Sequence, residues 1–418
     1  MSNERAPLNV YAREALAGQL RAGLSDSAYF TYSSASNHDA ISLTMPIRSA
    51  PYQWDHGLHP VFEMNLPEGA LRESLTKSFS KAIKGFNDFD LLGIVGEFQL
   101  GRIRVCAGEP SDVPPDHNVH DLLLNDGAHD LFEDLLHTYA RFSGVAGVQP
   151  KVLLRDAAYD IERFTQRSPT HIIKSWREGE YDQLATNEFF CLRAAKHAGL
   201  EVPTVQLGAS GKLLAVQRFD LGDDGFLGHE DFCALSGFSA RAKYDGTHEG
   251  IAKLIKWFVS PQYVAEALRD YFKMTALSAA VQNGDAHLKN FGVIYDRPDG
   301  TVRLAPAYDI VSTTPYIPRD SMALTLGGSK AWPKEKMLIK FGRSACGLSE
   351  HDCKLALEQV ADGIATAAVE MREHALAVPE TSGLIEKLTT AWNAGVSRSL
   401  MSASPAQGVR RTARPSMR

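Results

Sequence analysis

Short alternating runs and closely spaced apolar residues follow one another along this chain in three blocks. Residues 8 to about 105 hold alternating runs such as Leu8 to Arg13 and Gly101 to Val105, which predict strands, and one helical stretch near Glu68 to Phe79. The loop-forming run Asp112-Val113-Pro114-Pro115-Asp116-His117 comes next, and Asp126 to Tyr139 then has the spacing of an amphipathic helix. From there to about Asp220 the pattern predicts strands around a helix over Asp182 to His197. The remainder is mainly helical, with apolar residues closely spaced over Ile251 to Val259, Gln262 to Gln282 and Cys353 to Ala377. These stripes are those of ordinary core packing. The expectation is an α+β chain without internal repeats. It has a β-rich subdomain over 1–110, a mixed lobe over 111–225, a helical lobe over 226–402 and a basic tail over 403–418.

The polar loop that ends the 262–282 helix changes this picture from a fold to a chemistry. It reads Gly284-Asp285-Ala286-His287-Leu288-Lys289-Asn290, and Asp309 follows nineteen residues after Asn290. Between them, Phe291 to Tyr295 and Thr301 to Ala305 predict a hairpin around a turn at Arg297-Pro298-Asp299-Gly300. An aspartate, an asparagine five positions on and a second aspartate past a hairpin is the layout by which protein-kinase-type enzymes hold Mg-ATP beside a hydroxyl. Asp285 is then base or orienter, Asn290 binds one Mg2+ through its amide oxygen, and Asp309 bridges the metals, because hard cations take oxygen ligands. Each motif alone is equally a helix stop or a turn. Their order around the hairpin favours the site, with His287 bracing the loop rather than moving a proton.

Upstream, a kinase needs a cation for the phosphates and a cover over them. Thr170-His171-Ile172-Ile173-Lys174 predicts a strand ending in a lysine, and Asn187-Glu188 on the next helix stands where an acidic partner belongs. Gly144-Val145-Ala146-Gly147-Val148-Gln149-Pro150-Lys151 leads into the strand Val152 to Leu154, and its glycines allow backbone N–H groups to approach phosphate. It is not a Walker A loop. The glycine spacing differs, and Val152 stands where the Mg-binding Ser or Thr would be.

Taken together, these residues resemble the HipA family, the serine/threonine kinase toxins of bacterial type II toxin-antitoxin modules. The resemblance rests on Gly147 to Lys151, His171 to Lys174, Asn187 to Leu192, Val216-Gln217-Arg218-Phe219-Asp220, Lys243-Tyr244, Asp285 to Asn290 and Tyr308-Asp309-Ile310. Leu8-Asn9-Val10-Tyr11 and Asn65-Leu66-Pro67-Glu68-Gly69 extend it to the full-length form, over roughly residues 8 to 395. It implies a protein-kinase-like two-lobed fold using ATP and Mg2+. Lys174 would contact the phosphates, Lys151 would belong to the phosphate loop, and Gln217 and Phe219 would flank the adenine. Asp285 would be catalytic with His287 and Lys289 in its loop, and Asn290 and Asp309 would hold magnesium. A HipB-like helix-turn-helix antitoxin would be the partner and an aminoacyl-tRNA synthetase the substrate. The loop serine that some relatives autophosphorylate is replaced by Ala146 or Gly144, which leaves Ser143 as the nearby candidate. The alternatives are a weakly catalytic antitoxin-binding corepressor and a small-molecule phosphotransferase.

Composition narrows the setting. The 418 residues are 44% hydrophobic and 22% charged, ordinary for a chain that buries two or three cores. No apolar run reaches the roughly eighteen residues of a membrane span, and Met1 to Arg5 lack a secretory pattern, so the cytoplasm is expected. Cysteines at 106, 191, 233, 346 and 353 form no Cys-x-x-Cys pair, and the histidines show no His-Glu-x-x-His spacing, which argues against disulfide frameworks and zinc hydrolases. A net charge of -6 favours DNA contact only through a partner. The exception is the tail, with Arg410, Arg411, Arg414 and Arg418.

Overall fold

The computed structural model describes residues 5–400 apart from 25, 34–35, 111–112, 129, 159–167 and 223–224. The basic tail 403–418 lies outside the described residues. Alternation in the first block produces strands β1 (Leu8–Ala12), β2 (Ala15–Ala22), β3 (Ala28–Tyr32), β4 (Tyr52–Trp54) and β5 (Ile103–Cys106). They pair antiparallel in the order β4-β3-β2-β1-β5. The helix Gly69–Phe79 buries Leu71 and Leu75, and Asp88–Val95, held at its start by an Asn87 capping box, buries Leu91, Leu92 and Val95.

The mixed lobe carries β6 (Asp116–His117), β7 (Lys151–Asp156), β8 (His171–Lys174), β9 (Val205–Leu207) and β10 (Leu214–Gln217) in the order β6-β7-β8-β10-β9. β7 and β8 run antiparallel with Lys151 directly opposite Lys174, so the pleat carries both lysines to one face at one end of the sheet. Val152, Leu153, Leu154, Ile173 and Ala215 belong to the same apolar cluster as Val10, Val105 and Leu71 of the first block. The first block and the mixed lobe thus share a core although their sequence patterns change near residue 110. A buried Arg218–Asp220 pair joins them again. Asp220 Oδ2 accepts from Gly101 N–H at 2.6 Å, and Arg218 donates to the carbonyl of Gln99 at 3.1 Å.

A second core belongs to the helical lobe. The helix Val264–Ala280 is buried on nearly all sides, and Leu184–His197 packs on Glu350–Ala377. A Cβ at Gly363 would lie 2.5 Å from Ala198 N, so a bare backbone is what permits that approach. Three expectations change in detail. The long helix begins at Val264 rather than Gln262, after a 3-10 turn over Pro261–Tyr263, and Ser260 Oγ accepts from Val302 N–H at 2.9 Å. The amphipathic helix starts at Leu131, because the buried Asp126 carboxylate accepts from the N–H groups of Ser210, Lys212 and Leu213. The 291–305 hairpin forms as Gly292–Tyr295 and Val302–Leu304, extended into a three-stranded sheet by Gly228–Asp231. All five cysteines are free and buried.

Candidate active site

The end of β8, the start of Leu184–His197, the loop after Val264–Ala280 and the segment past the hairpin converge on a cavity of about 550 Å³. In its lining Lys174 Nζ stands 2.6 Å from Glu188 Oε1 and 2.7 Å from Asp309 Oδ1. Asn290 Nδ2 donates to Asp309 Oδ2 at 3.2 Å, while Asn290 Oδ1 accepts from His287 N–H at 3.1 Å. Lysine, glutamate, asparagine and aspartate from four separate segments therefore form one bonded set. Asp309 takes a left-handed backbone, φ 55°, which aspartate tolerates better than most residues.

Electrostatics keep Lys174 and Asp309 charged, whereas burial outweighs Lys174 at Glu188 and raises its carboxyl. Burial acts to lower Lys174, but Asp309 and Glu188 outweigh it and hold the ammonium above its ordinary value. Burial acts to raise the Asp309 carboxyl, and Lys174 and Lys151 outweigh that in turn, holding it well below the usual carboxylate range. Glu188 Oε2 is buried without a hydrogen-bond partner among the described residues. Lys151 is lowered by burial, with its Nζ donating to Ala146 O at 3.1 Å. A Cβ on Gly147, whose φ is 110°, would lie 2.3 Å from that Nζ, so the loop folds over its own lysine only with glycine there.

Asp285 also lines the cavity, and Tyr244 Oη donates to its Oδ1 at 2.7 Å. Burial raises the Asp285 carboxyl, the Tyr244 bond opposes this, and Asp309 adds to the rise. Burial pushes His287 down to about 3, so its ring is neutral near pH 7 and packs edge-on against Tyr244 at 5.2 Å. Lys289 Nζ donates to Met64 O at 2.8 Å, which turns it toward the first block. Gln217 and Phe219 line the cavity as well. The N–H of Gln217 is engaged by Thr204 O at 2.9 Å, and the Phe219 ring stacks on Tyr308 at 5.3 Å.

Ser143 is the expectation that the geometry overturns. It is fully buried, its Oγ donates to Tyr139 O at 2.8 Å and accepts from Leu153 N–H at 2.7 Å, and it does not line the cavity. Phosphorylating it would require unmaking the start of β7. Conversely, Glu68 of the first block reaches the catalytic loop, 3.1 Å from Lys243 and 3.8 Å from Lys289. Motif spacing alone marked neither Glu68 nor Tyr244 as part of the site, although both lie within the runs that carry the resemblance.

The oxygen donors suit a hard cation. Among the described residues no group of three or more His, Cys, Asp or Glu side chains could hold a metal by itself. A carboxylate and a neighbouring amide are donor types Mg2+ takes, with water and phosphate oxygens completing its shell, provided the Asn290 amide turns toward the metal the oxygen that here accepts from His287 N–H.

Comparison with known proteins agrees in both halves of the chain. The family model described as HipA N-terminal domain matches residues 8–106, and that described as HipA-like C-terminal domain matches residues 143–368, more than half of the chain. Putative kinase Y4dM of Sinorhizobium fredii is 30% identical over 295 residues, which span 65% of this chain and 66% of that protein, just under two thirds of its length. Putative kinase Y4mE of the same organism is 28% identical over 74% of this chain and 78% of its own. The serine/threonine-protein kinase toxin HipA of Shewanella oneidensis is 32% identical over 196 residues, 43% of its length. A solved Shewanella oneidensis complex of HipA, HipB and operator DNA contains a chain of the same fold, with a TM-score of 0.70, 21% identity and coverage of 94% of this chain and 97% of that one.

Proposed function

This chain belongs to the HipA family, and from that premise we propose that it is a serine/threonine protein kinase that transfers the γ-phosphate of Mg-ATP to a protein hydroxyl. The observation that carries the reading is the bonded set Glu188–Lys174–Asp309–Asn290 at the edge of a cavity that also holds Asp285. Lys174, fixed by two carboxylates, contacts the ATP phosphates. Lys151 and the backbone around Gly147 cover them, and Gln217 and Phe219 flank the adenine. Asp309 and Asn290 would hold Mg2+, which supplies charge neutralisation at the phosphates. Asp285 accepts the proton of the acceptor hydroxyl or orients it, and Tyr244 keeps the carboxylate aimed. His287, neutral, braces the loop. Catalysis is then mostly positioning and electrostatics.

A HipB-like helix-turn-helix antitoxin is the proposed partner, through which the chain would meet operator DNA. The support is its fold likeness to a chain solved with HipB and DNA. The proposed substrate is a protein such as an aminoacyl-tRNA synthetase. No helix among the described residues is long and apolar enough to cross a membrane. Incubating a host lysate with Mg-ATP and either wild type or Asp285→Ala, followed by mass-spectrometric mapping, tests the reading. New phosphoserine or phosphothreonine with wild type alone is expected. Its absence, with phosphate appearing only on small molecules, would transfer the assignment to a small-molecule phosphotransferase.

Tyr244 yields a pH prediction. Asp285 acts as the carboxylate, which exists only above its pKa, so activity falls as the pH drops through that value. Tyr244→Phe removes a bond that lowers this pKa. The acid limb of kcat therefore moves to higher pH, and an unmoved limb in the pH-rate profile would show that Tyr244 does not act on Asp285.

A further inference from the structure

The first block lines the site with Leu100 and with Met64, Asn65 and Glu68 of the segment that runs on to Gly69. Asn65 Nδ2 donates to Leu100 O at 2.9 Å, which anchors the segment on its own subdomain. Glu68 Oε2 stands 3.1 Å from Lys243 Nζ, and Oε1 stands 3.8 Å from Lys289 Nζ, without a hydrogen-bond partner among the described residues. Lys289 is fixed further by Met64 O. The next residue, Gly69, takes φ 50°, and a Cβ there would lie 2.5 Å from Val148 O of the phosphate loop. Two neighbouring residues thus meet the two loops that must stay in register for transfer.

We propose that Glu68 is a positioning residue for the kinase reaction, holding Lys243 and Lys289 beside Asp285 while Gly69 seats the phosphate loop, so that the amino-terminal subdomain completes the active site. The inference rests on the kinase reading, yet its geometry can be tested apart from it. A half-buried carboxylate between two ammonium groups holds both side chains in place. Glu68→Gln preserves shape and removes charge. Both lysine side chains are then freed, and the catalytic loop keeps only the Lys289–Met64 bond to the first subdomain. A misplacement of about 1 Å at such a site costs on the order of 10²-fold in rate.

The experiment compares full-length wild type, Glu68→Gln, Glu68→Asp and Gly69→Ala. Lysine acylation mapped by mass spectrometry should rise severalfold at Lys243 and Lys289 in Glu68→Gln and stay constant at Lys174. Steady-state transfer should show kcat reduced about 10- to 100-fold in Glu68→Gln at unchanged KM for ATP, partly restored in Glu68→Asp, while Gly69→Ala raises the KM for ATP. Unchanged acylation of both lysines, or wild-type kcat in Glu68→Gln, would overturn the proposal. So would a kcat loss no smaller in Glu68→Asp that tracks a fall in melting temperature. A wild type that transfers nothing while the acylation pattern still shifts would remove the kinase reading and leave the lysine pairing standing.

Discussion

Asp309→Asn lowers phosphoryl transfer by about 10³-fold or more while leaving the fold intact. Asparagine matches aspartate in size and also tolerates the left-handed backbone found at this position, φ 55°. What disappears is the charge. Lys174 keeps Glu188 at 2.6 Å, so no buried ammonium is stranded, but the carboxylate that faces the proposed metal is gone. Turnover measured beside a thermal melt separates the two effects. Near-normal kcat in a folded Asp309→Asn would remove Asp309 from the chemistry.

Lys174→Met acts on both rate and stability. Glu188 is 1% exposed and one of its oxygens already lacks a hydrogen-bond partner among the described residues. Removing its cation leaves a buried carboxylate uncompensated, which costs about 3 kcal/mol. Adding Glu188→Gln to Lys174→Met removes that stranded charge and recovers much of the stability, but none of the ATP-dependent rate. Denaturant titration of the single and double variants checks the first part, and kcat/KM for ATP the second. A Lys174→Met protein of wild-type stability would contradict the reading of the pair.

Lys174 and Asp309 set a pH window. Lys174 is raised in the folded state, so its stabilisation is fully present below the unfolded lysine pKa of about 10 and is lost as pH climbs through the folded value. Asp309 is depressed, so its contribution is complete above the unfolded carboxylate pKa of about 4 and is lost as pH falls through the folded value. Both contributions are therefore present across neutral pH.

Features with a local cause were legible in the sequence. The strand that ends at Lys174, the helix that carries Glu188 and the hairpin between Asn290 and Asp309 each follow from spacing within about twenty residues, and the structure has each of them. The helix Ser382–Ser399 was not singled out although Leu384, Ile385, Leu388, Ala391 and Trp392 recur at helical spacing, so its signal was there to be read. Other features have no local cause. Glu68 meets Lys243 across 175 positions, and nothing near Glu68 announces that encounter. Asp126 suits a helix by its neighbours, but a distant turn at Ser210 to Leu213 captures its carboxylate. Ser143 is the sequence's candidate as the hydroxyl near the glycine loop, because Ala146 and Gly144 fill the usual serine positions. The direction of its side chain, into the core beneath β7, is set by tertiary packing.

The central claim is that Lys174, Asp285, Asn290 and Asp309 form one phosphoryl-transfer site. Its most direct measurement follows the label of γ-labelled Mg-ATP into acid-stable protein, using purified wild type, Asp285→Ala and Asp309→Asn with host proteins as acceptors. The account predicts steady protein labelling by wild type and none above background by either variant. Equal labelling by all three, or ATP left intact by a folded, antitoxin-free wild type, would contradict it.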